Sequence, residues 1–287
     1  MTITDDDRQF LLGFVRRHAA LAIEPAQEYL LATRLAPVLA QHQLRGLPQL
    51  VARLRVVTST DPLVRDLTDA LTTNETSFFR EPHVFDALTS DVLPRLARAR
   101  PGRSLTLWSA ACSSGQEAVS LAIAIRERVP DLTGWRVRIV GSDLSSRMVA
   151  RAKAGRFTAA EVRRGLPPDL LARYFVPIPA GAASGPGEYQ VRRELLGELE
   201  FHPGNLLTDP GPAGGYDLVL LRNVLIYFDD GARRRVLDNV LRGLAADGAV
   251  VLGASELTTH SELEFVRSGR IGLYQPRRRL PRSAEGR

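Results

Sequence analysis

The chain has 287 residues, 44% hydrophobic and 24% charged, which suits one large or two modest globular domains and argues against a disordered or fibrous chain. A single cysteine, Cys112, excludes an internal disulfide and a cysteine-cluster zinc site; no apolar run is long enough to cross a bilayer, and the start MTITDDDRQF is acidic where a secretory signal is basic, so a cytoplasmic protein is expected. The net charge of +6 would suit nucleic acid, but five arginines against Glu285 between Pro276 and Arg287 account for four of those charges, so the body is near neutral and no nucleic-acid partner is expected.

Residues 5–72 read as helical throughout, and 1–72 as a small helical domain. Phe10, Leu11, Phe14 and Val15 give one apolar face, Tyr29, Leu30, Leu35, Val38 and Leu39 a second, and Leu47, Leu50, Val51 and Leu54 a third. Eight acids balance eight arginines up to Thr72, yet Arg34, Arg45, Arg53 and Arg55 cluster in the middle. Each is read as part of a solvated helix face, or together as a surface for an acidic partner.

Residues 73–104 form a linker and a connecting helix from about Val84 to Ala99. The linker TNETSFFREPH (Thr73–His83) surrounds Phe78 and Phe79 with polar groups that no helix or strand period demands. One reading is a helix start near Asn74 or Thr76 with the phenylalanines in the core. The other is a site, since Arg80 beside aromatics suits a carboxylate and a flat base.

Residues 105–275 read as an α/β sheet domain. Leu105–Ile125 is a buried strand to Trp108, a turn of small residues from Ala110 to Gly115, and a helix with Val119, Leu121, Ala122 and Ile125 on one face. Such a turn sits where a doubly wound sheet binds ligands, beside free helix N–H groups. A second strand, Arg136–Asp143, stops at an acid that can accept from two ribose hydroxyls or cap the helix Ser145–Ala154. A helix over Leu166–Tyr174 precedes an antiparallel β insertion at about 175–200, whose loop PAGAASGPG separates VPI from YQVRREL.

LEFHPGNLL (Leu199–Leu207) then returns to the sheet and ends at Asn205. The run Leu218–Leu221 is continuously apolar, as in a central parallel strand, and breaks at Arg222 and Asn223. A helix from Asp229/Asp230 to about Leu244, a turn at Ala245–Gly248, a strand to Glu256 and a last strand at Ile271–Gln275 complete the domain. Residues 276–287 are read as a disordered basic tail. Polar groups at the ends of three strands, on one edge with Gly115, favour a ligand site there.

NETSFFRE, WSAACSSGQE, GSDLS followed by RAKAGRF, GNLL, RNVLIYFD and GASE, in this order and spacing, resemble the CheR family of chemotaxis-receptor glutamate methyltransferases over almost the whole chain. The resemblance implies a Rossmann-like S-adenosylmethionine-dependent methyltransferase sheet with a small antiparallel β subdomain, preceded by an all-α domain. It maps cofactor contacts onto Asn74, Thr76, Arg80, Glu117, Asp143 (at the ribose), Asn205, Leu206, Arg222 and Asn223. Tyr227 corresponds to a tyrosine beside the transferring methyl, with Arg80 as its catalytic partner.

No metal is implied. The implied substrate is the cytoplasmic helical domain of a chemoreceptor, to whose acidic face the arginine cluster with Arg34, Arg53 and Arg55 offers a complementary positive one; in some relatives the β subdomain also docks the receptor's carboxyl-terminal peptide. This chain departs from the family at Ala111, where Gly is common, at Gln116 (Glu), Ala118 (Pro) and Ala254 (His). A methyltransferase for another substrate and a non-catalytic cofactor-binding scaffold are the alternatives.

Overall fold

A computed structural model describes residues 3–19, 29–58, 61–179, 187–209 and 215–277. The loop 180–186 and the arginines of the tail beyond Arg277 lie outside the described residues, as do the side chains of Tyr29 and Leu30.

Four helices open the chain: α1 (Asp5–Ala19), α2 (Tyr29–Gln41), α3 (Leu47–Leu54) and α4 (Pro62–Leu71). Leu11, Phe14, Val15, Leu35, Val38, Leu50, Val51 and Leu54 meet in one core, as the apolar spacing predicts. α4 adds a fourth face, Leu63, Val64, Leu67 and Leu71. Its start is set by Asp61, whose side chain accepts from the Leu63 N–H while Pro62 occupies the first turn, where no N–H partner is needed.

The connecting helix comprises α5 (Pro82–Ala87), a π-turn at Leu88–Val92 and α6 (Leu93–Arg98). There follow β1 (Ser104–Ala110), α7 (Gln116–Arg128), β2 (Arg136–Asp143), α8 (Ser146–Ala154), β3 (Arg156–Thr158), α9 (Ala159–Arg163), α10 (Pro168–Tyr174), β4 (Phe175–Ile178) and β5 (Glu188–Val191). After α11 (Arg193–Leu196) come β6 (Leu199–Pro203), β7 (Tyr216–Leu221), α12 (Asp230–Gly243), β8 (Leu244–Leu252), β9 (Leu263–Val266) and β10 (Gly272–Pro276).

Seven strands form one sheet in the order β6-β2-β1-β7-β8-β10-β9. The first five are parallel, and β10 runs antiparallel to both β8 and β9. This is the doubly wound order with a last antiparallel strand inserted before the edge, and the order reverses between β1 and β7. Strand periodicity explains the two cores: Leu105, Leu107, Leu218 and Leu220 pack on the α7 side, whereas Trp108, Ala110, Val219 and Leu221 pack on the α12 side. The one acid inside β7, Asp217, is satisfied by the Thr106 N–H at 2.7 Å and Arg100 Nε at 2.6 Å.

Three differences from the sequence-based expectation have physical causes. The small antiparallel sheet, in the order β3-β5-β4, begins at Arg156 rather than near 175; β3 is three residues long, too short for its alternation to show. Ala245–Gly248 is part of β8 and not a separate turn, bulging where Tyr216 pairs Leu244 and Leu218 pairs Ala249. No helix starts near Asn74: Phe79 and Glu81 have φ values of 46° and 59°, so the chain turns before Pro82 begins α5.

Candidate cofactor and methyl-transfer site

The sheet order places two loops side by side, the turn after β1 and the segment after β7. Between them lies a cleft of about 1000 Å³, counting the solvent at its mouth, lined by Asn74, Thr76, Arg80, Glu117, Asp143, Asn205, Leu206, Arg222, Asn223 and Tyr227 among others. Residues from five separated stretches of sequence thus converge at the reversal point, where such sheets bind ligands.

The linker reaches the cleft because its aromatics are anchored elsewhere. Phe78 packs edge-on against Phe157 and Phe175, with ring centroids 5.0 and 5.6 Å away, and Phe79 packs against Phe85 at 5.2 Å. The phenylalanines are core, as the first reading has it, and Asn74, Thr76 and Arg80 line the cleft. Arg80 Nη1 donates to the Glu75 carbonyl at 3.3 Å.

The turn after β1 is tight. Ala111, Ser113 and Gly115 have φ values of 60°, 49° and 93°, and Gly115 immediately precedes α7. Ser113 is the hub: its N–H donates to Asp143 Oδ2 at 2.8 Å and its hydroxyl to the Asn74 carbonyl at 3.0 Å, joining β1, β2 and the linker. Sequence reasoning did not single it out, because a serine in a run of small residues carries no local signal of a long-range bond.

Asp143 is buried, and its second oxygen accepts from its near neighbour Ser145 N–H at 2.9 Å. Ser145, not Asp143, caps α8, so the capping alternative falls. Burial pushes the Asp143 carboxyl above its ordinary 3.8, against the two backbone donors. Ligand hydroxyls that donate here would offset that cost.

Glu117, in the first turn of α7, accepts from Ser109 Oγ at 2.7 Å and from Arg222 Nη1 at 2.8 Å. Arg222 Nη2 donates to the Arg80 carbonyl at 2.7 Å and lies 3.5 Å from Glu81. Glu81 was not among the sequence candidates; its place before a proline reads as a helix entry. Burial works to raise its pKa, but Arg222 and bonds from Asn223 and the Ala254 backbone hold it below the ordinary value. Arg222 Nε is buried without a partner. A cofactor with an anionic group at this end would satisfy that donor, and one with ribose hydroxyls would meet Asp143, so the residues fit S-adenosylmethionine.

Of the remaining candidates, Asn205 and Tyr227 also line the cleft. Asn205 Oδ1 accepts from the Leu207 N–H at 3.0 Å, and its amide reaches the His18 carbonyl of α1 at 3.5 Å. Tyr227 ends a short 3₁₀ turn after β7. Arg34, Arg53 and Arg55 do not line the cleft. Arg34 donates to the Leu71 carbonyl at 2.9 Å, and Arg55 pairs with Asp6 and Asp7 at 3.0 and 3.2 Å while covering the Phe10 ring. Arg53 is exposed on α3.

The protein-family model described as the SAM-binding domain of CheR methyltransferases matches residues 74–270. The chain is 37% identical over 259 residues to Chemotaxis protein methyltransferase 1 of Pseudomonas aeruginosa, covering 89% of this chain and 92% of that one. It is 35% identical to Chemotaxis protein methyltransferase Cher2 of Pseudomonas putida, covering 88% and 90%. To the Chemotaxis protein methyltransferase of Vibrio anguillarum the identity is 32%, covering 90% and 92%.

Proposed function

Because the chain belongs to the CheR methyltransferase family, we propose that it transfers the methyl of S-adenosylmethionine to glutamate side chains of a chemoreceptor, giving γ-methyl esters in chemotaxis. The observation that carries this reading is the convergence of all ten cofactor and catalytic candidates on one cleft at the sheet's reversal point.

When bound, the cofactor supplies an electrophilic methyl on a sulfonium. The nucleophile is the substrate carboxylate, which with an ordinary pKa near 4.3 is already ionised at neutral pH and needs no general base. What the protein must supply is alignment, which accounts for roughly 7–11 kcal/mol of such barriers.

In this reading Asp143 orients the ribose, Glu117 holds the ammonium of the methionyl end, and Arg80 and Arg222 face its carboxylate. Asn74, Thr76, Asn205, Leu206 and Asn223 complete the walls. Arg80 and Tyr227 hold the acceptor carboxylate in line, and the close walls keep water from the opposite charges as they meet.

The partner in this proposal is the cytoplasmic helical domain of the receptor. Its approach is guided by exposed arginine on the helical domain, foremost Arg53, since Arg34 and Arg55 already have bonds within the domain. The small sheet β3-β5-β4 offers edge strands to a receptor carboxyl-terminal peptide. A cytoplasmic location follows from that partner, and among the described residues no helix is long and apolar enough to cross a membrane.

A filter assay with methyl-labelled cofactor and a receptor cytoplasmic fragment tests the proposal. Label on the fragment, released as methanol by alkali, is expected. Cofactor binding without transfer would instead make the protein a scaffold, and transfer to a nucleic acid or small molecule alone would redirect the substrate.

A further inference from the structure

The segment between β7 and α12 carries Asn223 and Tyr227 into the cleft, and it has little regular structure of its own. Asn223 stands at φ 59°, and only the short turn Leu225–Tyr227 follows before Asp229 caps α12. A left-handed asparagine and a one-turn helix do not hold a side chain to a fixed position by themselves.

Arg233 Nε donates to the Leu225 carbonyl at 2.9 Å and the Asn223 amide to Glu81 at 3.2 Å, but the backbone N–H groups of the segment are gathered by one carboxylate. Glu256 lies after β8 and is 4% exposed. Its Oε2 accepts from the Asn223 N–H at 2.6 Å and the Gly253 N–H at 2.9 Å. Its Oε1 accepts from the Leu225 N–H at 2.7 Å, with the Ile226 N–H at 3.4 Å.

Each oxygen thus engages a backbone donor of the segment, fixing it at both ends of the Asn223–Leu225 step. Gly253 makes the approach possible: a Cβ there would stand 2.6 Å from Glu256 Oε2 and 3.0 Å from the Asn223 nitrogen.

We propose that Glu256 is a positioning residue for methyl transfer, which clamps the backbone at Asn223–Ile226 so that Tyr227 stands in register with the reacting carboxylate. The proposal rests on the reading that Tyr227 acts at that carboxylate. Arg222 is anchored separately, by Glu117 and the Arg80 carbonyl, and the Asn223 side chain by Glu81 at 3.2 Å, so loosening the clamp acts on turnover more than on cofactor binding. A carboxylate suits the clamp because both of its oxygens accept, whereas a glutamine would turn an NH₂ toward one of the backbone donors and lose one side of it.

The test uses the full chain with Glu256→Gln and, as a second route to the same clamp, Gly253→Ala, each checked for folding by circular dichroism. Hydrogen exchange reads the clamp without reference to substrate. Exchange at residues 223–226 should rise by about tenfold or more while β1 and β2 keep their protection.

With a receptor fragment, either substitution should lower kcat by about 10- to 100-fold, with the cofactor KM within about threefold. In a Tyr227→Phe background the same substitution should cost less than about threefold more, because the clamp acts through the tyrosine. Unchanged exchange at 223–226, a full second loss in the Tyr227→Phe background, or a raised cofactor KM at constant kcat would each overturn the proposal. If the wild type itself labels no receptor fragment, the proposed substrate is wrong, and the exchange data still decide whether Glu256 is a clamp.

Discussion

The Arg222 guanidinium donates to the Glu117 carboxylate across 2.8 Å, with the arginine side chain 1% exposed and the glutamate 16% exposed. One residue follows β7 and the other begins α7, so the pair ties the two loops that form the cleft. Removing Glu117 leaves the buried Arg222 with only the longer contact to Glu81 at 3.5 Å, so part of the roughly 3 kcal/mol cost of breaking a buried pair is expected. Glu117→Gln is therefore expected to lower the stability of the cofactor-free protein by about 1–3 kcal/mol in urea denaturation. It should also weaken binding of S-adenosylhomocysteine by about tenfold or more in calorimetry. Unchanged affinity would remove Glu117 from the ammonium end.

Asp143 predicts a pH dependence. Its folded-state pKa is raised by burial above the ordinary 3.8, so the folded state takes up the proton more readily than the unfolded one. The stability this confers is fully present below 3.8 and is lost as pH rises through the raised folded value. The melting temperature of the wild type, relative to Asp143→Asn, should therefore fall as pH rises across that window. Ribose hydroxyls donating to the carboxylate favour its charged form, so wild-type affinity for S-adenosylhomocysteine should rise over the same range, and Asp143→Asn should lose this slope. A flat difference in melting temperature between about pH 3.5 and 6 would contradict the burial argument.

Ala111 occupies a left-handed conformation with φ 60° in the turn after β1, a region that glycine enters without steric cost. A side chain in that region costs about 1–2 kcal/mol, part of which glycine returns through greater freedom in the unfolded chain. Ala111→Gly should raise stability by about 0.5–1 kcal/mol and leave cofactor affinity unchanged; a destabilised variant would mean that the methyl's packing outweighs the strain.

The arginines of the helical domain separate into two kinds. Arg55 bonds to Asp6 and Asp7, so reversing its charge would disturb α1 itself. Arg53 is exposed on α3. Arg53→Glu is expected to slow methylation of an acidic receptor fragment several-fold, about 3- to 10-fold, with a weaker effect at high salt. Cofactor affinity and melting temperature should not change. Equal rates for the two proteins at low salt would remove this surface from the receptor contact.

Much of this architecture was legible in the sequence because it rests on local patterns. The apolar run Leu218–Leu221 marks a central strand, the alternation in Arg136–Asp143 marks β2, and helix α12 begins where Asp229 announces a cap. The cofactor candidates were legible through motif order, since Asn74, Asp143 and Asn223 are ordinary polar residues when taken singly. What escaped were relationships between distant residues. Ser113 bonds to Asp143 and Asn74, Glu81 lies beside Arg222, and Glu256 grips the Asn223 backbone. No periodicity encodes such bonds, because they exist only once the sheet order has brought the loops together. The three-residue β3 escaped for a different reason, its pairing with β5 being set by partners some thirty residues away.

In the proposed function the cleft binds the cofactor and Tyr227, which lines it, acts on the transferring methyl. The most direct measurement is a single-turnover methylation of a receptor fragment by wild type and Tyr227→Phe, with S-adenosylhomocysteine affinity determined on the same preparations. The rate should fall by about tenfold or more while affinity stays within about twofold, the pattern of an interaction made in the transition state. An unchanged rate with weakened affinity would contradict the claim and make Tyr227 part of the binding wall.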